Sequence, residues 1–128
     1  MQIFSTNQYG SNPDNRNEYE FVCEFKNTRN GFKHICNLFV NNRHVETAEC
    51  IYYNRTWESY TYQTVMYRAI EKLILDRTNE LENEFKMVNG YARMTKKRRE
   101  EFNSVLNADE KIIELQRVKG QIKNGFQG

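Results

Sequence analysis

The hydrophobic and polar positions change period along the chain, and the change separates two kinds of element. From Tyr19 the pattern alternates, with Tyr19, Phe21, Cys23 and Phe25 interleaved with Glu20, Val22, Glu24 and Lys26. Alternation sends one set of side chains to each face of a sheet and predicts a half-buried strand. Asn30-Gly31 then supplies two residues that tolerate positive φ, the requirement of a tight hairpin turn. A second strand is predicted from about Phe32 to Val40, with His34, Cys36 and Leu38 on one face and Ile35 and Phe39 on the other. Apolar residues on both faces predict a central strand covered at least partly on both sides. Asn41-Asn42 is a second turn signal, and a third strand runs from about Val45 to Tyr53 with Ala48, Cys50 and Tyr52 on one face. Residues 19–53 therefore read as an antiparallel meander of three strands.

Beyond Tyr53 the period lengthens. Tyr62, Met66, Ala69, Ile70, Leu73 and Ile74 recur at helical spacing as one apolar stripe, and Leu81, Phe85 and Val88 carry it onward. Asn54 or Thr56 can cap the start, its side-chain oxygen accepting from an orphan backbone N–H. No Gly or Pro interrupts before Gly90, so one helix is predicted over about 57–88, roughly 48 Å long. Three strands cannot cover that length. Either the helix breaks near Asp76–Asn79, or its far half packs on later helices. Thr95 caps a helix from Lys96 to Leu106 that turns Phe102, Val105 and Leu106 inward. Asn107 with Glu110 has the spacing of a capping box and opens a last helix to about Val118, which Gly120 stops. Gln121 to Gly128 is expected to fray.

Residues 1–17 hold Gly10, Pro13 and a run of Asn and Asp, a composition that cannot bury itself. They are expected to form a flexible arm, with Ile3 and Phe4 able to tack it onto the sheet. The expected architecture is α+β: a three-stranded antiparallel meander covered by one long helix, followed by two shorter C-terminal helices at about 96–119. Residues 18–128 make one domain, a size that supports a single hydrophobic core.

Composition sharpens this. The mean hydropathy is −0.89 and aromatics make up 13% of the chain, so the core has to be aromatic-rich under a very polar surface. No apolar run approaches the roughly 18 residues of a membrane span, and the N-terminus lacks the basic-then-apolar order of a signal peptide. Three cysteines, an odd number, read as reduced thiols of a cytoplasmic protein. The net charge of +2 hides an asymmetry: residues 1–90 carry ten Lys/Arg against twelve Asp/Glu, and residues 91–128 carry nine against five. The two parts offer different faces to a charged partner.

Candidate chemistry is sparse. Cys23, Cys36 and Cys50 share a sheet face with His34, but that face is also the core, where free Cys behaves as a small hydrophobe. No C-x-x-C or H-x-x-x-H spacing points to zinc. Only His34 and His44 are available as bases, with no nucleophile elbow, and no Gly-rich loop would cradle a phosphate. The expectation is a non-enzymatic protein with no cofactor. The basic run Arg93, Lys96, Lys97, Arg98, Arg99 is more informative. With Thr95 as cap it places cations in a first helical turn, where the macrodipole disfavours them by a few tenths of a kcal/mol each. Phosphates or a carboxylate-rich partner would relieve that. Tyr60, Tyr67 and Arg68 on one face of the long helix have the composition of a protein-binding hot spot. Glu80, Glu82 and Glu84, with Glu46, Glu49 and Glu58, could present phosphate-like charge to a basic channel.

The order strand–strand–strand–helix, from Phe21-Val22-Cys23-Glu24-Phe25 to Ala69-Ile70-Glu71-Lys72-Leu73, resembles the last three-quarters of a double-stranded RNA-binding domain. The family's first helix is replaced by the Asn-rich arm. Its Lys-Lys pair at the start of the last helix is here Arg55-Thr56-Trp57-Glu58, which leaves Arg55 to meet a phosphate. The whole chain is also similar in style to small Asn/Tyr-rich accessory proteins of phages and mobile elements. Asn30-Gly31-Phe32-Lys33-His34, Tyr52-Tyr53-Asn54-Arg55-Thr56-Trp57-Glu58 and Tyr62-Gln63 carry that likeness. Some such proteins are anti-CRISPR inhibitors of host nucleases. The resemblance implies an inhibitor in the bacterial cytoplasm that binds a CRISPR-Cas effector or its guide RNA complex. It brings no site residues with it. The alternative expectation is direct binding of DNA or RNA by Arg55, Arg93 and Lys96 to Arg99. Self-association to a homodimer through 75–89 is a further expectation where the long helix outruns its sheet.

Overall fold

A computed structural model describes residues 1–6, 17–29, 31–52, 62–90 and 94–123. The turn at Asn30, the caps at Asn54 or Thr56, the helix start at 57 and the C-terminal end beyond 123 lie outside them. Four strands, β1 (Gln2–Ser5), β2 (Tyr19–Thr28), β3 (Gly31–Val40) and β4 (Arg43–Tyr52), form one antiparallel sheet in the order β1-β2-β3-β4. Three helices follow, α1 (Tyr62–Asn89), α2 (Lys96–Ala108) and α3 (Glu110–Lys123). The α+β class is as the pattern predicts.

The sheet has one strand more than the alternation reveals. Residues 2–5, expected in the arm, pair with β2, placing Phe4 opposite Phe21 and Ile3 opposite Val22. Phe4 packs against the core, and Thr6, fully buried, accepts the Tyr19 N–H. Asn41 and Asn42 take φ of 54° and 67°, the two left-handed residues of a tight hairpin turn. Asn41 also binds back across the sheet end, its side-chain oxygen accepting from the Glu18 N–H and its own N–H reaching the Glu18 carbonyl. Just past this turn β4 slips by one residue: Phe39 faces His44 and Leu38 faces Glu46, so Val45 is a bulge.

The inner face is the predicted one. Tyr19, Phe21, Cys23, Cys36, Leu38, Ala48 and Cys50 are buried under Val65, Met66, Ala69 and Ile70 of α1 and Leu115, Val118 and Ile122 of α3. Phe25, in phase with them, is half exposed near the end of β2. The other face carries no helix among the described residues, and the partial cover expected on that side of β3 is limited to Ile35, buried, and Phe39, partly buried. Ile35 is only 8% exposed there, with Glu24 and Glu49 opposite it on the neighbouring strands.

The long helix does not break. α1 runs 28 residues, about 42 Å, straight past Asp76–Asn79. Its far half meets the later helices, the second of the two expected outcomes: Leu81 joins Phe102 of α2 and Ile112 of α3 in a smaller core flanked by Phe85 and Leu106. Among the described residues the buried side chains thus fall into two clusters joined at Ile74, and both α1 and α3 run through the two of them. Gly90, at φ +81°, ends α1 as predicted.

Two end signals were misplaced by the pattern. α2 continues through Asn107, and the cap of α3 is Asp109, whose Oδ2 accepts the Ile112 N–H at 3.0 Å. Asp109 satisfies this helix end better because its carboxylate also meets the positive pole of the helix. Gly120 does not stop α3, which continues to Lys123. A Cβ at Gly120 would have nothing within 4 Å. Gly120→Ala is therefore expected to raise stability by about 0.5–1 kcal/mol, the helix-propensity difference, seen as a higher urea midpoint at unchanged slope. A lower midpoint would mean that the glycine has a role the helix geometry does not show.

Candidate interaction surface

Thr95 holds the first turn of α2 as its sequence position suggests. Its Oγ1 accepts the Arg98 N–H at 3.2 Å and its carbonyl accepts the Arg99 N–H. Successive residues of a helix step around the axis by about 100°, so Lys96, Lys97, Arg98 and Arg99 project on all sides of this turn. Arg98 is half exposed on the side nearest Phe102, and the other three are exposed. No acidic residue occupies this first turn. Among the described residues, no carboxylate lies within 4 Å of any of the four cations. They are therefore a concentrated charge at the positive pole of a helix, with no described carboxylate in ion-pair range. Arg93, the fifth member of the run, lies outside the described residues, as do Arg55 and Tyr60.

The remaining candidates are distributed differently. Tyr67 is half buried against the main core, and the Lys119 ammonium sits 4.8 Å from the centre of its ring. Arg68 reaches across the sheet edge, its Nη1 donating to the Glu49 carbonyl at 3.1 Å. Both make contacts that seat α1 on its neighbours, Tyr67 partly buried and Arg68 exposed. Glu80, Glu82 and Glu84 do not form one patch: Glu82 lies about 200° round the helix from Glu80, while Glu84 lies about 40° from it. Glu82 pairs with Lys86 at 2.9 Å and Glu80 with Arg77 at 2.9 Å. The residues that do share an exposed face are Asp76, Glu80 and Glu84, spaced at i, i+4, i+8. Asp76 was missed because the acidic cluster in the sequence begins four residues later.

Of the sheet acids, Glu46 lies 3.4 Å from the Lys72 ammonium and Glu49 is 3.9 Å from Lys33, while Glu58 lies outside the described residues. The cysteine face is core. Cys23 and Cys36 are directly opposed and fully buried, and Cys50 faces His34 across the ladder. The hydrogen bond to Cys23, followed by burial, pushes the Cys36 thiol far above the ordinary thiol range, so no thiolate is available there. His34 sits among aromatic rings, 5.0 Å from Tyr62 and 5.4 Å from Phe25 between centres. Among the described residues no three His, Cys, Asp or Glu converge as metal ligands.

One feature had no signal in the sequence. An open cleft of about 990 Å³ lies between the turn end of the sheet and α3, lined by Tyr19, Val40, Val45, Leu73, Ile113 and Glu114 among others. At its floor the Glu114 carboxylate accepts the Tyr19 hydroxyl at 2.6 Å and both of its oxygens accept from the Asn17 amide. Burial first, then the Glu114 hydrogen bond and charge, hold the Tyr19 phenol well above its ordinary value, so it stays a neutral donor. Partners 95 and 97 residues apart leave no local pattern to read. No protein-family model matches the chain, nor does any characterised protein or solved structure compared with it.

Proposed function

We propose that this chain is a non-enzymatic interaction protein that docks on a nuclease–guide RNA complex of the CRISPR type, gripping RNA phosphates with Lys96, Lys97, Arg98 and Arg99. The observation that supports it is that, among the described residues, none of those four cations has a carboxylate within 4 Å, in a first turn capped by Thr95. The macrodipole works against this placement, and a polyanion would reverse the balance by releasing counterions as phosphates are neutralised. The turn lies on α2, whose buried Phe102 belongs to the smaller cluster and not to the one under the sheet.

The test is binding to a purified effector loaded with guide RNA, and to the same RNA alone, followed by fluorescence anisotropy as salt is raised. Three to four phosphate contacts predict that log K falls against log salt with a slope of about −2 to −3 for single-stranded RNA. Reversing all four cations to Glu is expected to weaken binding at least a hundredfold and to flatten the slope. Binding that ignores both salt and the reversal would sink the proposal.

A second reading is favoured by the row Asp76, Glu80 and Glu84 on one exposed face of α1. An inhibitor could lay that row into the nuclease's own basic channel in place of nucleic acid. In that case changing the three acids to Lys would abolish capture of the effector, and the basic turn would be dispensable.

A further inference from the structure

We infer that Arg68 and Lys72 keep the outer edge of β4 closed to strand addition, and that the surface they shield takes up a second copy of this chain when they are removed. β4 is an edge strand ten residues long, the kind of edge that pairs with another chain unless something prevents it. In an antiparallel ladder alternate residues point both N–H and C=O away from the partner strand. On β4 these include Thr47 and Glu49, and their carbonyls are the acceptors an incoming strand would use.

Both are occupied. Arg68 Nη1 donates to the Glu49 carbonyl at 3.1 Å and Lys72 Nζ to the Thr47 carbonyl at 3.0 Å. The donors are four residues apart on α1 and the acceptors two apart on β4, so a helical rise of about 6 Å matches a strand rise of about 6.6 Å. Glu46 anchors the second contact, 3.4 Å from the Lys72 ammonium. The two side chains lay their charge across the edge, and a strand could dock only by displacing both. Without them the edge is self-complementary: in an antiparallel pairing centred on Ala48, Thr47 faces Glu49 of the other copy and no like charges are opposed.

The experiment compares the wild type with R68M/K72M, which keeps side-chain length and removes the donors, by light scattering coupled to size exclusion from 5 to 200 µM. The double variant is expected to associate at least tenfold more tightly than the wild type, with R68M and K72M alone in between. Adding Glu49→Pro, which removes an outward N–H at a position where an edge strand tolerates proline, is expected to return it to the wild-type state. Far-UV circular dichroism establishes that each variant is folded. A folded double variant with the wild-type mass at every concentration overturns the inference. So does an association that Glu49→Pro leaves intact. Should the double variant not fold, the two single variants carry the same test, and no rise in either overturns it.

Discussion

Replacing Ile70 by alanine is expected to lower the unfolding free energy by about 3–4 kcal/mol, in the range measured for truncating buried aliphatic side chains. Ile70 is 0% exposed, on the helix that covers the sheet, in one core with Phe21, Leu38, Leu115 and Val118. Removing three carbons there leaves a void in a core built from the sheet, α1 and α3, where close packing limits collapse. Leu75, five residues along the same helix and 58% exposed, is the control: its alanine variant should stay within about 0.5 kcal/mol of wild type. For a domain of this size the Ile70 change corresponds to a midpoint drop of about 10–15 °C. Circular dichroism melts of the two variants check it, and equal losses would mean that α1 is not seated as described. Both cores should also melt together, because α1 and α3 each contribute to both.

The elements with the strongest period were the ones legible beforehand. Tyr19, Phe21 and Cys23 alternate cleanly because one sheet face is covered and the other is not, so inner and outer positions differ in kind. The stripe from Tyr62 to Phe85 showed a helix longer than its sheet, and simple length arithmetic required a second packing partner. Of β1 only the contact of Ile3 and Phe4 with the sheet was legible, because four residues, Gln-Ile-Phe-Ser, carry too little pattern to stand out as a strand beside an Asn-rich run. The α2–α3 junction was misread for a different reason: Asn107 and Asp109 both have capping side chains, and Asp109 is held by Arg77, thirty-two residues away. Ends set by long-range partners have no local signature.

Function divides in the same way. The basic run was readable as charge at a helix start, and the structure adds that no described carboxylate neutralises it. The Tyr67 and Arg68 reading depended on exposure, which spacing alone cannot supply. Two positions one apart on a helix point about 100° from each other, and here one turns towards Lys119 and the other towards the β4 edge. The cleft over Glu114 joins residues from β2, the turn end of the sheet, α1 and α3, and only folding brings them together.

Asp109→Ala is expected to cost about 2–3 kcal/mol, because one carboxylate does two jobs at the α2–α3 junction. Its Oδ2 caps α3, and both of its oxygens take a forked pair of hydrogen bonds from Arg77, at 2.8 and 3.1 Å. Both side chains are mostly buried, at 13% and 23% exposure, so water screens the pair little. Asp109→Asn keeps the cap and loses the charge, and should cost roughly half as much. The Arg77 hydrogen bonds, followed by that from the Ile112 N–H, hold the Asp109 carboxyl below its usual value against the opposing effect of burial. A depressed folded-state value stabilises the protein above the unfolded carboxylate range and is lost as the pH falls through the folded value. The wild type should therefore lose this contribution progressively below about pH 4, while Asp109→Ala and Asp109→Asn show a shallower acid slope between pH 4 and 2. Urea midpoints across that interval measure it, and identical slopes in all three proteins would contradict the assignment. The consequence extends to the proposed docking turn. α2 is held on α1 by Phe102 at its middle and by the Arg77–Asp109 fork just beyond its last residue. Without the fork, α2 is held by the packing of Phe102 and Leu106, and Lys96 to Arg99, roughly one to one and a half turns before Phe102, lose part of their fixed placement. Asp109→Ala should therefore weaken partner binding without removing one cation. Gly120→Ala, which changes stability elsewhere on α3, should leave the binding unchanged.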